Sequence, residues 1–294
     1  MIARNQTILE KILVPLDGSE LADKILTQVR RLLVRHDAQV MLLSVLSPRA
    51  LEREPVPGHE LEVARRHLDV VATALREQGA SVESEVLVGE PAERIHAFAL
   101  GYRPSLIAMS THGRTGISRW IRGSVAERVL RIAPYPVLLA NPFGLADREE
   151  LRFRRILVPL DGSDASAEIL PVVKDFASHY ESEVLLHMAV EIPQIEPLVY
   201  PLMISTEDAQ MRLEPFRAGL PGIRVLISTS LGSPAATIVD TAEREKADLV
   251  AMTTHGRTGA SRWAFGSVAE QVIRHCPCPL LVKRTGGFER QATE

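Results

Sequence analysis

The chain has 294 residues, a net charge of −3, and 46% hydrophobic and 24% charged residues. At about 100–200 residues per domain, this length predicts two domains that bury their own cores. The slight acidity disfavours a protein that binds nucleic acid or a membrane surface, because both classes usually carry a basic excess. Two cysteines are too few for a disulfide framework. No signal peptide or bilayer-spanning apolar run is recognisable, so we expect a cytoplasmic protein.

An internal duplication organises the sequence. Residues 11–20 read KILVPLDGSE, and residues 155–164 read RILVPLDGSD. Residues 110–140 and residues 253–283 are identical at 19 of 31 aligned positions. A repeat of this length indicates two complete domains in tandem rather than a solenoid of small units.

The boundary between the copies lies in a polar stretch broken by proline and glycine, NPFGLADREELRF. We therefore predict a first domain over residues 1–145, a second over residues 151–294, and a linker over about residues 141–153.

Short apolar runs alternate with helical patterns in each copy. In the first copy the predicted strands cover residues 12–16, 39–46, 82–88, 106–109 and 136–140. The predicted helices cover residues 20–35 with Ser19 as the cap, residues 59–78, a segment ending near Gly101, and residues 124–131. The second copy repeats this order over residues 156–283, with its middle helix interrupted by Pro215.

This alternation predicts an α/β protein with two tandem doubly wound domains. Each domain is expected to hold a five-stranded parallel sheet of order 3-2-1-4-5 with helices on both faces. Ligands of such sheets bind beyond the carboxyl ends of the strands, where the strand order reverses. The first and fourth strands both end in distinctive sequence, so their motifs should face one crevice.

A glycine loop follows the fourth strand of each copy. It reads Ser110-Thr-His-Gly113, nine residues and Gly123-Ser124 in the first copy. In the second copy it reads Thr253-Thr-His-Gly256, nine residues and Gly266-Ser267. Glycine before a helix lets backbone N–H groups approach a phosphate, and the helix N-terminus adds unpaired donors. The loop therefore predicts an anion site at the start of the last helix.

With the opening LVPLDGS and the closing apolar strand, this loop resembles the ATP-binding signature of the universal stress protein family, Gly-x2-Gly-x9-Gly-(Ser/Thr). The resemblance extends over nearly the whole chain, twice. It implies ATP as the ligand, with any Mg held through its phosphates, and a role in the stress response. It places an acid beside the adenosine, an apolar residue after the second strand against the adenine, and the loop residues around the nucleotide. The implied contacts are Asp17, Val45, Met109, Ser110, Gly113, Gly123 and Ser124 in the first copy, and Asp161, Met188, Met252, Thr253, Gly256, Gly266 and Ser267 in the second.

One departure from the family signature distinguishes the copies. Its first glycine is Ser110 in the first copy and the β-branched Thr253 in the second. A side chain there narrows the space beside the ribose, and a β-branched one is stiffer. The first copy also has Arg122 before its loop glycine, where the second has Phe265. We therefore expect the first copy to bind nucleotide more tightly.

Several of these motif residues also have a purely structural interpretation, which the sequence leaves open. The sequences SVAE at 124–127 and 267–270 also match a helix capping box. Asp17 also suits a turn acid before glycine. His112 and His255 have no partner at a spacing typical of acid–base catalysis. Cys276 and Cys278 have no second pair of ligands for zinc. Trp120 and Trp263 suit packing.

Three classes of function remain. The first is a nucleotide-binding regulatory protein, with at most slow ATP hydrolysis. The second is an interaction module that keeps the fold without nucleotide, with residues 136–140 of one repeat pairing with residues 279–283 of the other, or with a homodimer. The third is an enzyme such as a nucleotidyl transferase or hydrolase. No catalytic residue, metal site, nucleic-acid partner or membrane partner is predicted.

Overall fold

The computed structural model describes residues 9–34, 38–52, 56, 58–113, 125–143, 152–191, 205–254 and 266–286. The chain forms two compact units, with described residues 9–143 in the first and 152–286 in the second. Each unit has the α/β architecture that the sequence predicts, with strands and helices in alternation.

The first unit contains strands β1 to β5 and helices α1 to α6. In chain order they are β1 (Lys11–Pro15), α1 (Glu20–Asp23), α2 (Ile25–Leu33), β2 (Gln39–Leu46), α3 (Pro48–Glu52), α4 (His59–Arg76), β3 (Ser81–Val88), α5 (Pro91–Tyr102), β4 (Leu106–Ser110), α6 (Val125–Ile132) and β5 (Val137–Ala140).

The second unit repeats this succession apart from α3, whose place in the chain falls outside the described residues. Its elements are β6 (Arg155–Pro159), α7 (Asp164–Ala167), α8 (Leu170–Tyr180), β7 (Glu183–Val190), α9 (Thr206–Ala218), β8 (Val225–Leu231), α10 (Pro234–Arg244), β9 (Leu249–Thr253), α11 (Ser267–His275) and β10 (Leu280–Lys283).

All strand pairs within a unit are parallel. The first unit has the order β3-β2-β1-β4-β5, and the second has the order β8-β7-β6-β9-β10. Successive residues of a strand point to opposite faces of the sheet. In β1, the consecutive residues Ile12, Leu13 and Val14 are all 0% exposed, so both faces of the sheet are covered there.

The strand order brings two strand ends together at the edge where the sequence predicts a ligand crevice. In each unit the order reverses between the first and fourth strands, β1 and β4 or β6 and β9. Because the strands are parallel, the segments that follow them leave the sheet at the same edge. The motifs after these strands are therefore neighbours.

Three helical segments differ from their predicted form. A turn at Lys24 divides the predicted helix 20–35 into α1 and α2. Residues 48–52, predicted as loop, form the short helix α3. The predicted interruption at Pro215 is wrong. Helix α9 continues through Pro215 and ends three residues later. Proline there removes one hydrogen bond to the residue four positions earlier, Met211, which is 64% exposed and open to water. Among the described helices, none combines the length and apolar character needed to cross a bilayer.

Candidate functional site

The acid after the first strand is fixed by a turn that also caps the following helix. Asp17 Oδ1 accepts hydrogen bonds from the Ser19 N–H at 3.0 Å and from the Ser19 hydroxyl at 2.6 Å. Ser19 Oγ in turn accepts the Ala22 N–H at 3.1 Å, which begins α1. Gly18 lies between them with a φ of 76°, a conformation that glycine adopts without strain. The turn role of Asp17 is therefore confirmed, and it orients the carboxylate.

The second unit repeats this turn. Asp161 Oδ1 accepts the Ser163 N–H at 2.9 Å and the Ser163 hydroxyl at 2.6 Å. Ser163 Oγ accepts the Ser166 N–H at 3.2 Å and caps α7. The two acids thus share one local geometry at the carboxyl ends of β1 and β6. The hydroxyl of Ser19 or Ser163, two residues after each acid, completes the turn. The sequence pattern Asp-Gly-Ser indicates this role, but the two serines were not among the predicted ligand contacts.

The glycine loop of the first unit begins directly against Asp17. An ideal Cβ placed on Gly113 would overlap Asp17 Oδ2 and would lie 3.1 Å from the carboxyl carbon. Only a residue without a side chain fits this position unless the acid or the loop moves. The structure thus brings together the acid after β1 and the glycine after β4. Residues 114–124 lie outside the described part of the chain, and with them Trp120, Arg122, Gly123 and Ser124.

The residues between β4 and Gly113 hold one another in place. Ser110 is the last residue of β4, is 7% exposed, and accepts the His112 N–H on its hydroxyl at 3.3 Å. The Thr111 N–H donates to the Ala140 carbonyl at 2.9 Å, which continues the pairing of β4 with β5. The hydroxyl of Ser110 is therefore directed to the loop backbone.

The histidine of this loop has a structural environment. His112 Nδ1 lies 2.9 Å from Thr111 Oγ1, and its ring meets Phe143 edge-on at a centroid distance of 5.0 Å. Burial lowers the pKa of His112 below its ordinary value of 6.5, which favours the neutral ring at pH 7. These contacts agree with a loop histidine held by a hydrogen bond.

In the second unit, the described ends of the loop are joined by a backbone hydrogen bond. The Gly266 N–H donates to the Thr254 carbonyl at 3.0 Å, and the Thr254 N–H donates to the Lys283 carbonyl at 3.0 Å. A Cβ on Gly266 would lie 3.3 Å from the Thr254 carbonyl oxygen, so the helix start closely approaches the end of β9. Thr253 is the last residue of β9 and is 5% exposed. Residues 255–265, including His255, Gly256 and Trp263, lie outside the described ranges.

The capping-box interpretation is wrong for the second unit. Gly266 is the N-cap of α11, with a φ of −60° and a ψ of 147°, and Ser267 is the first residue of the helix. A capping box needs the serine at the N-cap itself. Ser267 instead lies beside the first backbone N–H groups of the helix, which is the arrangement that an anion site uses.

One predicted equivalence between the copies is also wrong. Strands β1 and β2 pair with Lys11 opposite Gln39, and β6 and β7 pair with Arg155 opposite Glu183. The interval is 28 residues in both (39 − 11 and 183 − 155), so the counterpart of Val45 is Ala189 rather than Met188. A shift of one residue along a strand moves a side chain to the other face. Accordingly Met188 is 2% exposed, whereas Val45 and Ala189 are both intermediate in exposure.

The remaining predicted contacts are buried in the fourth strands. Met109 is 5% exposed and lies opposite Leu139 of β5, and Met252 is 6% exposed and lies opposite Val282 of β10. Their role toward a ligand stays a prediction. Within the described ranges, no group of three or more histidine, cysteine, aspartate or glutamate side chains lies close enough to hold a metal ion.

Comparison with known proteins agrees with the duplication. The model of the universal stress protein family matches residues 9–141 and again residues 152–284. A universal stress protein of Methanocaldococcus jannaschii is 35% identical over 141 residues, which cover 44% of this chain and 81% of the relative. A universal stress protein of Mycolicibacterium smegmatis is 25% identical over 295 residues, which cover 93% of this chain and 96% of the relative.

A solved structure has the same fold over both units. The crystal structure of a universal stress protein from Archaeoglobus fulgidus aligns with a TM-score of 0.74 and 23% identity, over 97% of this chain and 100% of that one. The family model accounts for most of the sequence, in two successive matches. The chain therefore belongs to the universal stress protein family and carries its domain twice.

Proposed function

We propose that this protein binds an adenine nucleotide, foremost ATP, in the crevice at the carboxyl ends of the first and fourth strands of each unit, and acts as a nucleotide-dependent regulator in the stress response. The observation that carries the proposal is the approach of Gly113 to the Asp17 carboxylate, so close that a Cβ would overlap it. An acid that suits a ribose or base and a glycine segment that suits phosphates thus share one place.

The start of the last helix supports phosphate binding in the second unit. Gly266 and Ser267 lie at the N-terminus of α11, where backbone N–H groups lack partners within the helix. Hydrogen bonds to a charged phosphate contribute about 1.5–3 kcal/mol each. About three to five such bonds would therefore sum to the roughly −8 kcal/mol that corresponds to micromolar affinity. Any Mg would be carried by the phosphates of the nucleotide.

We expect the first unit to bind more tightly than the second. The position of the first signature glycine holds Ser110 in one unit and Thr253 in the other, and both are the buried last residue of their strand. The Ser110 hydroxyl is directed to the His112 backbone, which leaves a compact side chain beside the crevice. Threonine adds a methyl group and has a restricted χ1 at the same place.

Calorimetric titration of the full chain with ATP and Mg tests the proposal. Asp17→Asn and Asp161→Asn are matched variants, because asparagine keeps the Oδ1 acceptor of each turn while it removes the charge. We expect Asp17→Asn to weaken the tighter site at least tenfold, and Asp161→Asn to weaken only the other site. GTP and cAMP serve as comparison ligands, the latter because one universal stress protein has been solved in complex with cAMP. Absence of ATP binding, or unchanged binding in the double variant, would contradict the proposal.

An interaction module without nucleotide is the second candidate, favoured by the side chains of Ser110 and Thr253 where the family signature has glycine. Mass spectrometry of the purified chain separates the two. Co-purifying adenine nucleotide that Asp17→Asn and Asp161→Asn abolish supports the first candidate. A nucleotide-free chain that gives no calorimetric signal supports the second. Multiple turnover of ATP, lost in these variants, would instead indicate an enzyme; we expect at most slow hydrolysis.

A further inference from the structure

A pair of thiols lies in the second unit, at the turn between α11 and β10. The Sγ atoms of Cys276 and Cys278 are 3.6 Å apart. The two residues are 1% and 3% exposed. Neither belongs to the nucleotide crevice, because this turn precedes β10 and so lies at the amino end of the strand, opposite the edge where Gly266 begins α11.

The thiols are not required to form the turn. Cys276 ends α11 with its N–H donating to the Val272 carbonyl at 2.9 Å. In the first unit Ala133 makes the same bond to the Val129 carbonyl at 2.7 Å and is likewise 1% exposed. The same helix end thus forms around the methyl group of an alanine. Packing at this position therefore does not require a cysteine.

The local backbone permits the movement that joins the two sulfur atoms. A disulfide bond is about 2.05 Å long, so the Sγ atoms must approach by about 1.5 Å from their present 3.6 Å. Cys278 stands between Pro277 and Pro279, and neither proline has an N–H to lose from the backbone hydrogen-bond network. Rotation of the side chains with a small adjustment of this turn brings the sulfur atoms together, and the adjustment must preserve the bonds from the Cys276 N–H to the Val272 carbonyl and from the Val250 N–H to the Pro279 carbonyl.

We propose that Cys276 and Cys278 are a redox-sensitive modification site of the second unit, which a hydroperoxide converts reversibly to an intramolecular disulfide. One thiol first gives up two electrons to the peroxide, which yields a sulfenic acid and one molecule of water. The second sulfur then attacks the sulfenic sulfur, the S–S bond forms as the S–O bond breaks, and the hydroxyl leaves with the thiol proton as a second water. Two thiols and one hydroperoxide thus give one disulfide and two waters when the oxidant is hydrogen peroxide.

Burial determines how fast the two thiols are oxidised and which product forms. A buried thiol meets oxidant only when the segment opens, so we expect oxidation slower than that of glutathione in solution. Burial also keeps other protein molecules away, while the partner sulfur is already at 3.6 Å. The sulfenic acid is therefore expected to be captured within the chain before further oxidation or cross-linking.

Intact-mass spectrometry of the full chain after prolonged exposure to hydrogen peroxide tests the proposal. These are the only two cysteines of the sequence, so a loss of about 2 Da that dithiothreitol reverses reports their disulfide. Cys276→Ala is the matched variant, because alanine occupies the same helix end in the first unit. It should fold, as judged by circular dichroism, and should form no such species.

Each other result overturns the proposal. Two alkylatable thiols that remain after an exposure continued well beyond the complete oxidation of glutathione would show that the pair does not react. Irreversible gain of oxygen, or a chain-to-chain disulfide in the unmodified sequence, would show that the neighbouring sulfur fails to capture the sulfenic acid. The same loss of mass in Cys276→Ala would show that it arises elsewhere.

Discussion

We expect a buried histidine to make the stability of the second unit dependent on pH. His187 lies in β7, opposite Pro159 of β6, and is 0% exposed. Its Nδ1 is 3.4 Å from Ser228 Oγ, and its Nε2 has no hydrogen-bond partner among the described residues. Burial, with the charge of Arg244 as a second cause, lowers the pKa of His187 to about 4. The first unit has Leu43 at the same register position, also 0% exposed.

The size of the effect follows from the two pKa values. The folded unit keeps His187 neutral, whereas the unfolded chain protonates it below a pKa of about 6.5, so the unfolded state gains protons first as the pH falls. Stability that is complete above pH 6.5 is lost progressively down to the folded pKa of about 4. The full loss is about 2.5 units at 1.36 kcal/mol each, or roughly 3 kcal/mol, of which about 2 kcal/mol is lost by pH 5.

His187→Leu, which copies the first unit, should remove this loss. Hydrogen exchange of the β7 amides measures it between pH 7.5 and pH 5, after correction for intrinsic exchange, with the β2 amides as the internal reference. We expect the free energy of opening of β7 to fall by about 2 kcal/mol in the unmodified chain and to stay level with β2 in the variant. At pH 7.5 the variant should be as stable or more so, because it removes a buried nitrogen that has no hydrogen-bond partner in the described part of the chain. An equal fall for β7 in both proteins would refute the argument.

Further substitutions test the site and the fold. Gly113→Ala should weaken ATP binding at the first site at least tenfold in calorimetry, because its Cβ overlaps the Asp17 carboxylate, whereas Gly101→Ala, with open space around its Cβ, should leave affinity unchanged. Ser205→Ala removes the capping box of α9 and should cost about 1 kcal/mol in urea unfolding, and an unchanged midpoint would contradict the cap. Phe153→Ala empties a 0% exposed position against two aromatic rings and should cost about 3–5 kcal/mol in the same assay, where a cost below 1 kcal/mol would contradict its place in the core.

Local sequence determined the architecture because its signals are short-range. Apolar runs such as 12–16 and the helix signals between them do not depend on distant residues, and the duplication doubles each observation. The strand order predicted for each domain is that of β3-β2-β1-β4-β5 in the first unit. Strand order also explains why the acid after β1 and the loop after β4 were expected at one edge.

Features that depend on register or on distant atoms were decided only by tertiary structure. The counterpart of Val45 depends on which residues of β6 and β7 face each other, and a shift of one residue reverses the face. The Gly266 N–H donates to the Thr254 carbonyl, and Gly266 is the N-cap of α11. The residues next to Ser267 in the sequence do not indicate either feature. The fit of Gly113 against Asp17 joins residues 96 positions apart.

The burial of His187 was also decided only by tertiary structure. Within β7, His187 is one polar residue in an apolar run, and the prediction of helices on both faces of the sheet does not show which atoms its ring contacts. Packing determines that its ring is 0% exposed and that Nε2 has no partner among the described residues. The sequence thus determined the fold and the edge at which the site lies, since both follow from local patterns repeated twice. Tertiary structure decided which atoms meet there, since contacts between distant residues exist only once the sheet has formed.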